Sequence, residues 1–424
     1  MLSDVLPNAL RLLLASLLYP SSVSQATLQF HLRHEHAVAS SNHILFADVL
    51  PNFQQLSLSP FTVNTKSMRT HRPSSPSAYF EARYNSLRHT QSTLLDWWDE
   101  DVIGPDVENR ETLLTLAKMT YDAYLEPSDK EWYELDAQWN KSHPFGWEPD
   151  ADGIRGHVFV STDNSTVVIS IKGTSAGWIV GGGGPTVHND KLNDNLLFSC
   201  CCARVGPTWS TVCDCFSGSN RCDQTCIENA LIEESLFYPM GTILYNNVSY
   251  MYPNANIWIV GHSLGGALAS LVGVTFGTPV VAFEAPGEKL AAERLHLPSP
   301  PSTQHITHVY HTADPIAMGT CNGITSSCGL TGYAMETRCH LGKSIVFDTI
   351  GKLGWSADIR THAIKAFQCQ SQKKNVKNAI NGNSGNTRIL PTDLESGALI
   401  GNNEFQDPFG TPLLETHSHA TDTF

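Results

Sequence analysis

The chain has 424 residues, 41% apolar and 16% charged, enough for a sizeable core and too rich in apolar residues for an unfolded polymer. Its 41 acidic residues against 27 basic give a formal net charge of −14 at pH 7. That balance counts against a nucleic-acid binder, which needs a basic footprint, and against a polybasic membrane anchor.

Residues 10–18 form an apolar run broken by Arg11 and Ser16, about ten residues where a spanning helix needs roughly 20. The pattern reads as a hydrophobic signal or signal-anchor segment over residues 1–27. Residues 28–105 read as a polar N-terminal extension of short elements, punctuated by Pro73 and Pro76. Leu113, Leu114, Leu116, Ala117, Tyr121 and Tyr124 then recur at helical spacing. Residues 158–161 and 166–171 flank Asp163-Asn164-Ser165 as a β-hairpin, and a glycine run follows at residues 181–184. Residues 228–250 are helical in pattern with a break at Pro239. A short apolar strand at 257–260, a helix at 267–276 and strands at 279–284 and 306–311 complete an alternation that predicts an α/β sheet. One α/β domain is expected over residues 106–368, with a cysteine-rich insertion at 199–226. A disordered polar tail is expected over 369–424.

Seven of the 11 cysteines crowd together: Cys200, Cys201, Cys202, Cys213, Cys215, Cys222 and Cys226. Cys321, Cys328, Cys339 and Cys369 follow. The cluster lacks the repeated pair spacing of a zinc site, so disulfides in an oxidising compartment are the better reading. Sequons at Asn140, Asn164 and Asn247 fit the same compartment as glycosylation acceptors.

Gly261-His262-Ser263-Leu264-Gly265 is a G-x-S-x-G sequence between an apolar strand and a helical run, the context a nucleophile elbow requires. Ser263 is the expected nucleophile. Chain order in this fold class runs Ser, acid, His. Asp314, just past the strand at 306–311, is the preferred acid, with Asp348 and Asp358 as alternatives. His362 is the preferred base over His340, which adjoins Cys339, and over His417 and His419 in the tail. The backbone N–H groups of Leu264 and Thr174 are expected to form the oxyanion hole. Acyl transfer of this kind needs no metal or organic cofactor. His305, His308 and His311 recur every third residue, but on a strand neighbours three apart face opposite ways, so surface or packing roles are expected rather than a metal.

The segment 257–266 resembles the nucleophile signature of class 3, Rhizomucor-like lipases. More of the chain resembles the fungal autophagy-related vacuolar lipases: residues 28–37 (LQFHLRHEHA), 143–150 (HPFGWEPD), 171–177 (IKGTSAG), 193–204 (NDNLLFSCCCAR), 261–269 (GHSLGGALA), 283–315 and 337–343 (TRCHLGK). The resemblance implies an α/β-hydrolase fold and a Ser263–Asp314–His362 triad acting on phospholipids and acylglycerols of vesicle membranes. It also implies a single-pass type II protein that travels through multivesicular bodies to the vacuole and disintegrates autophagic bodies there. The glycine run and the cysteine-rich segment lie where such lipases carry a lid. A secreted soluble esterase and a catalytically silent lipid-binding protein of the same fold are the competing readings. At about pH 5.5, roughly 16 of the 18 histidines would be protonated at an ordinary pKa, moving the net charge to about +2 and easing access to anionic membranes.

Overall fold

The computed structural model describes residues 26–38, 43–49, 61–125, 154–174, 187–199, 213–218, 221–235, 237–323, 326–365 and 387–390. The first half comprises β1 (Thr27–Val38), β2 (Ile44–Asp48), β3 (Phe61–Pro73), α1 (Pro76–His89), β4 (Trp97–Pro105), α2 (Arg110–Asp122), β5 (Arg155–Ser161), β6 (Thr166–Ile171) and α3 (Val187–Phe198). There follow β7 (Phe216–Gly218), β8 (Arg221–Cys222), α4 (Gln224–Glu234), α5 (Phe237–Met251), β9 (Asn256–His262), α6 (Leu264–Phe276), β10 (Val280–Phe283) and α7 (Lys289–Arg294). The chain continues with β11 (Ile306–His311), α8 (Ser327–Thr331), β12 (Lys343–Phe347), α9 (Thr349–Leu353), a 3-10 turn at Ile359–His362 and β13 (Thr387–Leu390).

One sheet runs β13-β12-β11-β10-β9-β6-β5-β1-β3-β4, with β2 paired to β1. From β6 to β13 all neighbours are parallel; from β6 to β4 all are antiparallel. The parallel strands β9 and β10 are buried along nearly their whole length, as a strand covered by helices on both sides must be. One apolar layer joins α5 and α6 to Ile259, Val280 and Ala282. The opposite layer joins Leu113, Leu116 and Met119 of α2 to Trp258, Val260, Val281 and Phe283. This mixed sheet with helices on both faces and an elbow after β9 is an α/β-hydrolase fold.

The hairpin is β5–β6, with Asn164 at φ 56° in its turn. Residues 27–105 differ from the expected set of short elements. β1 and β3 are 12 and 13 residues long and extend the same sheet. The alternation of Leu28, Phe30 and Leu32 puts those side chains on the sheet's apolar layer while the polar Gln29, His31 and Arg33 point out. The 228–250 helix is two helices, one ending at Glu234 and the next beginning at Phe237, so the break precedes Pro239. Pro239 occupies the first turn of α5, where the missing N–H has no intrahelical partner to lose. Within the segment expected to be a disordered tail, β13 pairs in parallel with β12; the remainder of 369–424 lies outside the described residues.

Disulfides join Cys215 to Cys226 and Cys321 to Cys328, and Cys213 is also disulfide-bonded. Cys200, Cys201, Cys202 and Cys369, like the segment 1–25, the glycine run and the sequon at Asn140, lie outside the described residues. Asn164 is exposed, and Asn247 is half-buried on α5.

Candidate active site

Ser263 stands between β9 and α6 at φ 56° and ψ −130°, a backbone shape that costs a non-glycine residue free energy. Its neighbours make the shape attainable. A Cβ on Gly261 would run into the backbone of Gly265, and a Cβ on Gly265 into the carbonyls of Ile171 and Lys172. Hydrogen bonds from the Ser263 N–H to the Phe283 carbonyl (3.0 Å), and from the Ala267 N–H to the Ser263 carbonyl (3.1 Å), clamp the turn.

His362 Nε2 lies 2.9 Å from Ser263 Oγ, and His362 Nδ1 lies 2.7 Å from Asp314 Oδ2. With Nδ1 donating to the carboxylate, Nε2 is left as the acceptor for the serine hydroxyl. Asp314 follows β11, and its carboxylate also accepts the Ile316 N–H at 2.8 Å. Burial alone would raise its pKa. The His362 ring, Glu284 and His311 reverse that and hold Asp314 below the usual carboxylate range. The other candidates do different work. Asp348 caps α9 through the Gly351 N–H, and Asp358 caps the 3-10 turn through the Arg360 N–H. His340 donates to the Ala317 carbonyl and faces Glu288. His417 and His419 lie outside the described residues.

Leu264 opens α6, where the first N–H groups have no intrahelical partner and point toward the nucleophile end of the helix. Thr174 is buried after β6, and its hydroxyl donates to Asp194 at 2.5 Å. Gly173 brings that strand end against Ser263, since a Cβ there would meet both the His262 carbonyl and Ser263 Cβ. Behind it, buried Lys172 bonds the Gly173 carbonyl at 2.6 Å and pairs with Asp190 at 3.4 Å. Burial raises Asp194 to about 8.

Four side chains given no part in the site by the sequence, Tyr124, His262, His311 and Glu284, hold His362 and Asp314 in place. The Gly173 N–H donates to Tyr124 Oη (3.0 Å), Tyr124 donates to His262 Nδ1 (2.6 Å), and His262 Nε2 donates to the His362 carbonyl (2.9 Å). Burial, with the neighbouring His362, pushes His262 down to about 3, so it stays neutral and keeps both roles. His311 Nε2 donates to the Thr361 carbonyl at 2.9 Å, steadying the residue before His362. Glu284, at φ 45°, is raised by burial and by the Asp314 charge, which leaves it a neutral acid hydrogen-bonded to Asp314. His262 is the variable position of G-x-S-x-G, and Glu284 ends the strand after it, so position was their only sequence signal. His305, His308 and His311 are all buried, not at the surface, and β11 turns His308 and His311 to opposite sides.

A family model described as Lipase (class 3) matches residues 234–320. The chain is 60% identical over 274 residues to the "Putative lipase ATG15" of Cryptococcus neoformans var. neoformans serotype D strain B-3501A, covering 64% of this chain and 52% of that protein. Identity is 51% over 348 residues to the protein of that name from Mycosarcoma maydis, covering 79% of this chain and 66% of the other. It is 51% over 276 residues to that of Saccharomyces cerevisiae S288c, covering 63% and 53%. The chain thus spans about half the length of the first of these relatives and two thirds or less of the others. Among solved structures, a triacylglycerol lipase from Penicillium expansum aligns over 57% of this chain and 80% of its own, at 15% identity and TM-score 0.27. The Rhizomucor miehei lipase in its propeptide complex aligns over 63% and 71%, at 11% identity and TM-score 0.25.

Proposed function

This chain belongs to the fungal ATG15 lipases within the class 3 lipase family, and on that premise we propose that it hydrolyses carboxylic esters by acyl transfer to Ser263. The observation that carries the proposal is the continuous hydrogen-bonded line from Ser263 Oγ through His362 to Asp314. His362 takes the serine proton as Oγ attacks the ester carbonyl, then returns it to the leaving alcohol. Asp314 fixes the ring tautomer and stabilises the imidazolium. The N–H groups of Leu264 and Thr174 receive the oxyanion. Water, activated by the same histidine, then releases the fatty acid.

Phospholipids and acylglycerols in intravacuolar vesicle membranes are the proposed substrates, with disintegration of autophagic bodies and multivesicular-body vesicles as the outcome. The proposed route is secretory, through the multivesicular body to the vacuole lumen, with glycosylation at Asn140, Asn164 and Asn247 and a signal or type II anchor in residues 1–27. Two disulfides among the described residues support the oxidising route. Among those residues no helix is long and apolar enough to cross a membrane. A lid built on the glycine run 181–184 and the cysteine-rich segment that follows is also proposed; it predicts higher activity on aggregated than on monomeric lipid.

The decisive measurement is fatty-acid release from phospholipid liposomes near pH 5 by wild type and Ser263→Ala. Loss of at least about 10³-fold is expected. Unchanged release would overturn the enzymatic reading, and a chain-length series favouring short soluble esters would replace the lipase with an esterase.

A further inference from the structure

Away from Ser263, three side chains from distant parts of the sequence meet in the interior. Glu288 precedes α7, His308 lies on β11, and His340 precedes β12. Their side chains are 0%, 1% and 4% exposed. One ligand atom from each lies within 4.8 Å of the others.

The hydrogen bonds fix which atoms carry hydrogens. His340 Nε2 is 3.0 Å from the Ala317 carbonyl, which only accepts, so Nε2 bears the hydrogen. In the neutral ring Nδ1 is then a lone pair. It faces Glu288 Oε2 at 3.6 Å, and neither atom has a hydrogen-bond partner. Two buried lone pairs so placed repel unless a cation joins them. The other carboxylate oxygen, Oε1, accepts the Leu341 N–H at 3.0 Å and the His308 Nε2–H at 2.8 Å, a hydrogen whose place a bound cation would take.

We propose that Glu288, His308 and His340 form a binding site for one zinc-class divalent cation. Two imidazoles and a carboxylate suit zinc and its neighbours and offer too few oxygens for calcium or magnesium. A ring N–H held by a backbone carbonyl, as His340 is by Ala317, is the usual outer partner of a metal-bound histidine. Ala317 sits in the turn that begins at Asp314, where the Met318 N–H bonds the Asp314 carbonyl at 3.1 Å. The cation would therefore tie the segment before β12 to the turn carrying Asp314. The site departs from the expectation that no metal is involved. None of its residues belongs to the Ser263–His362–Asp314 line, so it stands or falls separately from the proposed hydrolysis.

The test is titration of zinc alone into chelator-stripped full-length protein at pH 7.5, followed by calorimetry, thermal unfolding and X-ray absorption. One equivalent is expected to bind, raise Tm and show a nitrogen/oxygen shell with two imidazoles. His340→Gln, at the edge of the cluster, should weaken that binding by at least about 100-fold and remove the Tm response. Cys339→Ser, which removes the exposed neighbouring thiol, should change neither. Absence of a bound equivalent would overturn the proposal. So would binding that survives His340→Gln and vanishes in Cys339→Ser.

Discussion

Asp314 and Glu284 are two buried carboxyls in contact, and their environments drive them apart: Asp314 down, Glu284 up. The pair explains why one can serve as the anion behind His362 while the other acts as a neutral donor to it. Asp314→Asn is expected to lower kcat by about 10⁴-fold, because the amide cannot hold the Nδ1–H tautomer. Glu284→Gln keeps a neutral donor and is expected to lower it by less than about tenfold; a loss as large as that of Asp314→Asn would show that Glu284 needs a charge. Tyr124→Phe removes the link between Gly173 and His262 and leaves His262 Nδ1 without its donor. A stability loss of about 1–3 kcal/mol is expected in denaturant unfolding. At this scale the sequence was most informative for Ser263, whose motif is local. Asp314 and His362 needed only chain order to nominate them. The relay through Tyr124 could not be read, since its members lie 138 and 100 residues from their partners.

At the scale of elements, the elbow depends on glycines that allow backbone to approach backbone. Gly265→Ala would drive a methyl into the carbonyls at the end of β6, where rigid strand cannot give way. Destabilisation of about 3 kcal/mol or more is expected, read as a fall in Tm alongside lost activity. By contrast, the Asn109 cap of α2, which accepts the Thr112 N–H at 3.1 Å, lies on the protein's edge. Asn109→Ala is expected to cost about 1 kcal/mol without changing kcat. The parallel strands β9, β10 and β11 were legible because burial on both faces writes them as short apolar runs. β1 and β3 were less so, since their outward faces carry His, Arg, Lys and Glu and dilute the alternation. The Glu288–His308–His340 cluster was invisible because its members come from a helix start, a strand and a loop whose meeting only the fold decides.

For the whole molecule, the structure corrects the expected charge reversal in acid. His36, His157, His262, His305, His308 and His311 are buried and held below their ordinary range. Protonating all 12 others would bring the formal net charge from −14 to about −2, and Glu284 and Asp194, kept neutral by burial, would bring it to about 0, so the charge is neutralised and not reversed at about pH 5.5. The same burial sets a pH slope on stability. His36 and His305 titrate at about 4 and His157 and His262 at about 3 when folded, against an unfolded value near 6.5. Between those values the unfolded chain binds more protons, so stability falls as pH drops from about 6.5 toward 4, by up to about 1.4 kcal/mol per unit for each residue. Tm is therefore expected to be lower at pH 5 than at pH 7. His157→Gln should flatten the slope, and an unchanged slope would locate its cause elsewhere.

The place of β1 in the sheet carries a consequence for how the chain is made. It lies between β3 and β5, bonded to both. Emerging first from the ribosome among the described strands, it meets β3 soon afterwards. Its other edge waits until residues 155–161 have been synthesised. During that interval a long strand with alternating apolar residues stands open on one side, ready to pair with another chain. The antiparallel half can close onto the parallel half only when β5 arrives, so, among the described strands, the one farthest from Ser263 in sequence is also a joint on which completion of the half that carries Ser263 depends.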